Sequence, residues 1–131
     1  MLLLKDSPMV NAKISTLIIE VTSKCNLRCT YCIKADKTYD DFPFVNTDLT
    51  DDRLAELYAF CKANDIRSVS LSGIGETAQF EGWADRLTPF LDDPDIVVYL
   101  VSNFARPLQP SDLAALRKVN VLQISFDSAD P

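Results

Sequence analysis

The sequence predicts an α/β fold, a sheet of parallel strands with helices packed on its apolar face. Strand-like and helix-like segments alternate along the 131 residues, and this alternation is typical of parallel strands joined by helical crossovers. Polar and apolar residues also alternate within three of the four predicted strands. The first pattern predicts the fold class, and the second predicts which face of the sheet the helices cover.

The alternation is clearest in the second predicted strand. Ser68, Ser70 and Ser72 share one face of it, because successive side chains of a strand point to opposite sides. Val69 and Leu71 share the other face. A parallel sheet covered on both faces is normally apolar on both. We therefore expect the polar face to line a concave, wetted cavity that holds a ligand, the alternative being a one-sided sheet whose polar face meets solvent.

The first half of the chain predicts a strand, a loop and a helix. The β-rich run 17–22 is the strand, and Glu20 on its polar face is either a substrate contact or part of a structural network. The irregular stretch 33–46 predicts a loop over a site. Thr50, with two acidic residues behind it, predicts the start of a helix. Four residues at i, i+3, i+4 and i+7 form the core face of this helix: Leu54, Leu57, Tyr58 and Cys61.

The second half predicts three more strands and two helices. The strands are expected at 67–72, 96–102 and 121–127, and the second of these is the most hydrophobic. A helix over 83–90 is less regular, because glycine and proline interrupt its pattern. A further helix begins at Pro110, since proline is favoured in the first turn.

Composition limits the classes of protein that fit. Nineteen acidic against thirteen basic residues give a net charge of −6, so bulk nucleic-acid binding is not expected. The three leucines of residues 1–4 are too few for a signal sequence or membrane span, and we expect a cytoplasmic protein without a membrane partner. The chain has no histidine, which removes the commonest zinc ligand.

Three cysteines lie within eight residues, directly after the first predicted strand. In a reducing compartment such spacing indicates a metal or catalytic site rather than disulfides. Cys25, Cys29 and Cys32 could hold an iron–sulfur cube with one iron left open, because a closed cube takes four thiolates. One alternative is structural zinc with Cys61 as the fourth ligand, although Cys61 falls on the core face of its helix. Another is an electron-transfer cluster, which would need a fourth cysteine close by.

The cysteine motif resembles that of the radical S-adenosylmethionine (radical SAM) superfamily. It reads Cys25-x3-Cys29-x2-Cys32, with the aromatic Tyr31 before the third cysteine. The resemblance implies a partial (β/α)6 TIM-like barrel of radical SAM type, of which the chain carries about the first four β/α units. We expect one core domain over 1–131, with a lead-in at 1–14 and the β/α units at 15–131.

Further segments match the family in order. The run 73–76 resembles its glycine-glutamate motif, and residues 102–103 resemble its Thr-Asn element. Residues 125–128 end the fourth predicted strand, where members of the family often contact the ribose. The resemblance implies no catalytic residue beyond the cofactor ligands, and it implies one set of cofactor-binding residues: Tyr31, Gly73, Gly75, Glu76, Ser102, Asn103, Ser125 and Asp127.

The resemblance also implies the chemistry. Three irons of a [4Fe-4S] cluster would be bound by the three cysteines, and S-adenosylmethionine would chelate the fourth. Gly73 and Gly75 are expected to let the backbone approach the ligand and to take up dihedrals closed to other residues, and Glu76 to accept from a cationic amine. Reductive cleavage would give a 5′-deoxyadenosyl radical that abstracts a hydrogen from a peptide, RNA or small-molecule substrate. A flavodoxin or ferredoxin is the expected electron donor.

The length of the chain departs from the family pattern. A complete (β/α)8 barrel takes about 250 residues, and a six-unit barrel needs two strands more than the sequence offers. We expect the chain to be the N-terminal part of a longer oxidoreductase. The alternative is a minimal domain completed by a partner or by self-association.

Overall fold

The computed structural model describes residues 13–35, 41 and 46–126 of the chain. Four parallel strands form its sheet in the order β1-β2-β3-β4, which confirms the predicted fold class. The strands are β1 (Thr16–Ile19), β2 (Ser68–Leu71), β3 (Val97–Ser102) and β4 (Val121–Ile124). Because all four run in one direction, their carboxyl ends meet at one edge of the sheet.

In the part of the chain that the structure describes, four helices connect the strands. They are α1 (Asp51–Ala63), α2 (Trp83–Arg86), α3 (Thr88–Leu91) and α4 (Pro110–Leu116). Thr50 caps α1 as predicted, and its hydroxyl accepts from the Arg53 N–H. Single 3₁₀ turns occur at Ile33–Ala35 and Thr77–Gln79. Within the described ranges, no helix combines the length and apolar character that crossing a membrane requires.

The predicted helix over 83–90 is in fact two short helices. The chain changes direction at Leu87, which ends α2 and precedes α3 with φ −92° and ψ 4°. Pro89 lies in the first turn of α3, where its missing N–H costs nothing. Trp83, Leu87 and Phe90 are nevertheless all buried, as the pattern predicted.

The first strand is shorter than predicted because its chain changes partner. After β1 the backbone of residues 21–23 pairs with residues 47–49 instead of β2, through Leu49 N–H to Val21 O and Ser23 N–H to Thr47 O, each at 2.9 Å. Thr22 therefore does not stay on the polar face. It is buried, and its hydroxyl donates to Asp48 at 2.6 Å.

The core lies on one face of the sheet, against the helices. Its centre is formed by Val69, Leu71, Val98 and Leu100, each at most 2% exposed. On the opposite face, β2 alone of the four strands is polar throughout. The other strands present Ile18 and Tyr99 to the surface, so the polar pattern extends less far across the sheet than the sequence suggested.

Candidate functional site

A cavity of about 190 Å³ lies at the carboxyl ends of the strands. Its wall combines the loop after β1 with the residues that end or follow β2, β3 and β4. The lining residues are Cys25, Leu27, Cys29, Tyr31, Cys32, Gly73, Gly75, Glu76, Val101, Ser102, Asn103 and Ser125. Carboxyl ends of parallel strands are where α/β folds place their active sites.

This cavity brings together every predicted site residue that the structure describes. The three cysteines line it with seven of the eight predicted cofactor residues, and Asp127 lies outside the described residues. Sequence reasoning missed Leu27 and Val101, which supply apolar wall. Leu27 could have been found from its place between two cysteines, whereas no signal in the sequence marks Val101.

The loop that carries the three cysteines, residues 25–32, is called the cysteine loop. It is held in place by hydrogen bonds between residues that are close in sequence. Cys32 N–H donates to Cys29 O at 3.0 Å, and Ala35 N–H donates to Cys32 O at 2.8 Å, so two successive turns fold the loop back on itself. Lys34 reaches across it to the Ser23 carbonyl. Lys24 anchors the start of the loop through a 2.6 Å ion pair with Asp48.

The donor set of the loop fits an iron–sulfur cluster. Cys25, Cys29 and Cys32 are free thiols, partly exposed, on the wall of one cavity. A four-iron cube takes one thiolate on each iron, so its ligands need not converge on a point. Among the described residues, no three His, Cys, Asp or Glu side chains come together as ligands of a single metal ion.

Asp48 is an electrostatic anchor beside this loop. Its partial burial alone would raise its pKa, but hydrogen bonds from Lys24 and Thr22 outweigh that effect. The pKa of Asp48 is therefore below its ordinary value. The carboxylate stays charged at neutral pH and holds residues 22 and 24 together ahead of the first cysteine.

Glu76 has partners within the chain. Its side chain is buried and accepts from the Ser102 hydroxyl at 2.6 Å, the Asn103 N–H at 2.7 Å and the Ala78 N–H at 3.0 Å. Its own N–H donates to Lys24 O at 2.7 Å. Glu76 thus joins the ends of β2 and β3 to the cysteine loop. A carboxylate offers about four acceptor positions, which leaves room for one more donor from the cavity.

The two cavity glycines serve close packing. Neither has a positive φ, so the expectation that they adopt dihedrals closed to other residues is wrong. A Cβ on Gly75 would lie 1.8 Å from the backbone oxygen of Thr22, and one on Gly73 would lie 2.5 Å from Oε1 of Glu20. Residues 73–75, the glycine segment, therefore pack directly on the residues that precede the cysteines.

Glu20 is a network residue. Its Oε1 atom accepts from the Ile74 N–H at 2.5 Å and the Gly75 N–H at 2.9 Å. Of the two roles left open for Glu20, the geometry favours the structural one, because the carboxylate fixes the glycine segment from the polar side of β1. The same carboxylate occupies the space that a side chain at Gly73 would need.

Cys61 is separate from the cavity. It is fully buried in the core on α1, and burial raises the pKa of its thiol. This placement removes the fourth ligand that the zinc alternative required, and no other cysteine of the chain could close an electron-transfer cluster.

The contrast between the thiols predicts their reactivity. In the metal-free, folded chain, iodoacetamide is expected to modify Cys25, Cys29 and Cys32, and to modify Cys61 on the order of a hundredfold more slowly. The reason is that attack needs an accessible thiolate. Peptide mass spectrometry over time measures the four rates, with urea-unfolded protein as the control in which all four react. Equal rates in the folded chain would contradict the core position of Cys61.

Comparison with known proteins agrees with this geometry. No protein-family model matches the chain. The chain is 34% identical over 84 residues to the GTP 3′,8-cyclases of Clostridium perfringens strains SM101 / Type A and 13 / Type A, a match that covers 64% of this chain and 25% of each relative. The chain thus matches about a quarter of the length of these relatives.

A solved structure shares the fold. The crystal structure of BtrN in complex with AdoMet and 2-DOIA superposes with a TM-score of 0.67 at 16% identity, covering 84% of this chain and 44% of that one.

Fold and cavity define a class: parallel α/β proteins with a three-cysteine site at the carboxyl ends of their strands. GTP 3′,8-cyclase is a radical SAM enzyme. The predicted resemblance to the radical SAM superfamily is confirmed: the chain is similar over 84 residues to a radical SAM enzyme, and it shares the fold of BtrN.

Proposed function

We propose that this chain is the cofactor-binding part of a radical SAM enzyme. In this proposal Cys25, Cys29 and Cys32 bind a [4Fe-4S] cluster, and S-adenosylmethionine binds at the open iron. The observation that carries the proposal is that one cavity unites three free thiols with residues from the ends of β2, β3 and β4. The similarity to GTP 3′,8-cyclase and to BtrN, crystallised with AdoMet, supports it.

The residues of the chain have distinct tasks in this proposal. The cysteines hold the cluster, and the fourth acceptor position of Glu76 takes a donor from the methionine end of the cofactor. Ser102 and Ser125 face the methionyl group or the ribose, and Tyr31 lies near the adenine. Leu27 and Val101 give the cavity its apolar wall. When bound, the reduced cluster supplies the electron that cleaves S-adenosylmethionine and so generates a radical able to abstract hydrogen from the substrate.

The proposal extends to the substrate, the electron donor and the cellular location. The enzyme works in the cytoplasm on a peptide, RNA or small-molecule substrate, and a flavodoxin or ferredoxin supplies its electrons. The cysteine loop supports such an encounter, because Leu27, Arg28 and Tyr31 are exposed beside the cluster ligands. An electron carrier can therefore approach the cluster from the side of the loop.

Anaerobic reconstitution with iron and sulfide tests the proposal. The chain is expected to take up about four irons, and added S-adenosylmethionine to change the electron paramagnetic resonance spectrum of the reduced cluster. A C25A/C29A/C32A variant should take up none, whereas the matched control C61A should load as the wild type does. After reduction, methionine and 5′-deoxyadenosine are measured by chromatography. Tight zinc without iron uptake, or a spectrum indifferent to S-adenosylmethionine, would overturn the proposal.

A further inference from the structure

The side chain of Asn103 reaches from the end of β3 to the first cysteine. Its Nδ2 atom lies 3.8 Å from Cys25 Sγ and 3.1 Å from Asn26 Oδ1. A primary amide nitrogen carries two N–H groups, so one can serve the sulfur while the other serves Asn26. The Leu27 N–H, at 3.5 Å, is a second donor to the same sulfur.

The orientation of this amide is fixed by Ala105. The Ala105 N–H donates to Asn103 Oδ1 at 2.8 Å, and the Ala105 carbonyl accepts from Asn26 Nδ2 at 3.0 Å. Turning the Asn103 amide around would set its NH₂ group against the Ala105 N–H and its oxygen against the sulfur. Because both amides are bound by one residue, the face that Asn103 presents to Cys25 is its donor face.

The backbone is strained to produce this arrangement. Phe104 has φ 47° although it is not glycine, a conformation that is costly for a bulky residue. Its N–H is held by the Ser102 hydroxyl at 3.1 Å. The left-handed turn at Phe104 sends Ala105 back towards the Asn103 side chain, so the strain serves to place the amide against the cysteine loop.

From this geometry we infer that Asn103 is a positioning residue that tunes the cluster through Cys25. The inference rests on the proposed function. The N–H of Asn103 donates to the coordinated thiolate and thereby fixes the loop. It also stabilises the reduced cluster relative to the oxidised one, because reduction adds negative charge next to the donor. Hydrogen bonds to the sulfurs are one of the means by which proteins set cluster potentials.

The test is a redox titration of reconstituted variants of the full chain, followed by electron paramagnetic resonance. N103A is expected to shift the equilibrium about tenfold towards the oxidised cluster, a midpoint lower by about 59 mV for one electron. N103D should shift it further, because it replaces the donor with a negative charge. The matched control N120A removes an amide whose Oδ1 binds the Val98 N–H away from the cavity, and its midpoint should equal that of the wild type.

The outcomes separate the inference from the proposed function. A wild-type chain that takes up no iron overturns both. If clusters form in all variants with one common midpoint potential, the inference alone is overturned. A lower iron content in N103A without any shift in the midpoint potential also overturns it, because that result marks Asn103 as merely structural. N26A removes the partner of the second N–H but keeps the donor to Cys25, and its midpoint should stay closer to the wild type than that of N103A.

Discussion

A Gly75→Ala variant is expected to lose about 3 kcal/mol of unfolding free energy, at the upper end of what overpacking a tight interior costs, and to lose the cavity with it. The added Cβ would lie 1.8 Å from the Thr22 oxygen and 2.6 Å from its carbonyl carbon. Both atoms belong to the backbone, so no side chain can turn aside to relieve the clash. Urea unfolding followed by the fluorescence of the buried Trp83 measures the loss.

The neighbouring glycine provides the matched control. A Cβ on Gly73 would meet only side-chain atoms of Glu20, the nearest at 2.5 Å. That side chain can rotate away at the loss of its hydrogen bonds to the Ile74 and Gly75 N–H groups, a cost of about 1 to 2 kcal/mol. G73A should therefore be clearly more stable than G75A. Equal unfolding free energies for G75A and the wild type would show that the glycine segment does not pack on residues 22 and 23.

Truncating Asp112 is expected to cost about 3 to 5 kcal/mol, as is usual when one partner of a buried ion pair is removed. Its side chain is 4% exposed and pairs with Arg106, whose Nη1 lies 2.7 Å from Oδ2. It also accepts from Trp83 Nε1 and from the Gln109 N–H, both at 2.7 Å. D112A leaves all of these donors without their acceptor. The measurement is again urea unfolding.

Asp92 is the control for this variant. It pairs with Lys118 at 2.6 Å, but both side chains are about half exposed, and such surface pairs contribute at most about 1 kcal/mol. D92A should thus unfold at nearly the wild-type urea concentration. If D112A were as mild as D92A, the network around Arg106 would be contributing nothing to the fold.

The carboxylate of Asp112 also makes the unfolding free energy depend on pH. The hydrogen bond from Arg106 lowers the pKa of Asp112 to about 2, from an ordinary value of 3.8. A carboxyl group with a lower pKa in the folded state stabilises the fold above its unfolded pKa, and this contribution is lost as the pH falls from about 4 through 2. The shift corresponds to about 2 kcal/mol. The unfolding free energy of D112N should fall less than that of the wild type between pH 5 and pH 2 (about the window set by the two pKa values), and parallel curves would contradict the assignment.

Much of the site could be predicted because strand order fixes it. Once four parallel strands were expected, the residues after each of them had to meet at one edge. Cys25, Gly75, Ser102 and Ser125 are far apart in the sequence, and they line one cavity for this reason. The burial of Leu54 and Cys61 could be read from helical spacing in the same way.

Partner choice could not be predicted from such periodic patterns. Residues 21–23 continue the alternation of a strand, yet they pair with residues 47–49. Thr22 is buried there because its hydroxyl meets Asp48, a contact that depends on where the intervening loop returns. Periodicity gives the face of a residue only while the residue stays in its strand.

The roles of the acidic residues were also beyond the sequence. Glu20 and Glu76 both carry carboxylate oxygens that could accept hydrogen bonds from a bound amine. N–H groups of the backbone are donors too and can bind the same oxygens. The partners of these carboxylates lie up to 55 residues away. The type of a residue indicates which groups its side chain can bind. Whether a ligand or the backbone binds to it depends on the folded chain.

The bond from Asn26 to Ala105 spans 79 residues, and this separation bears on the timing of synthesis. A ribosome adds about 5 to 20 residues per second, so the cysteine loop emerges roughly 4 to 16 s before its anchor. During that interval the three thiols of the loop are free to react with metal ions or oxidants. Under the proposed function, the loop reaches its final geometry only after β3 and the turn at Phe104 have emerged and docked, so we expect cluster insertion to be a late step in the maturation of the chain.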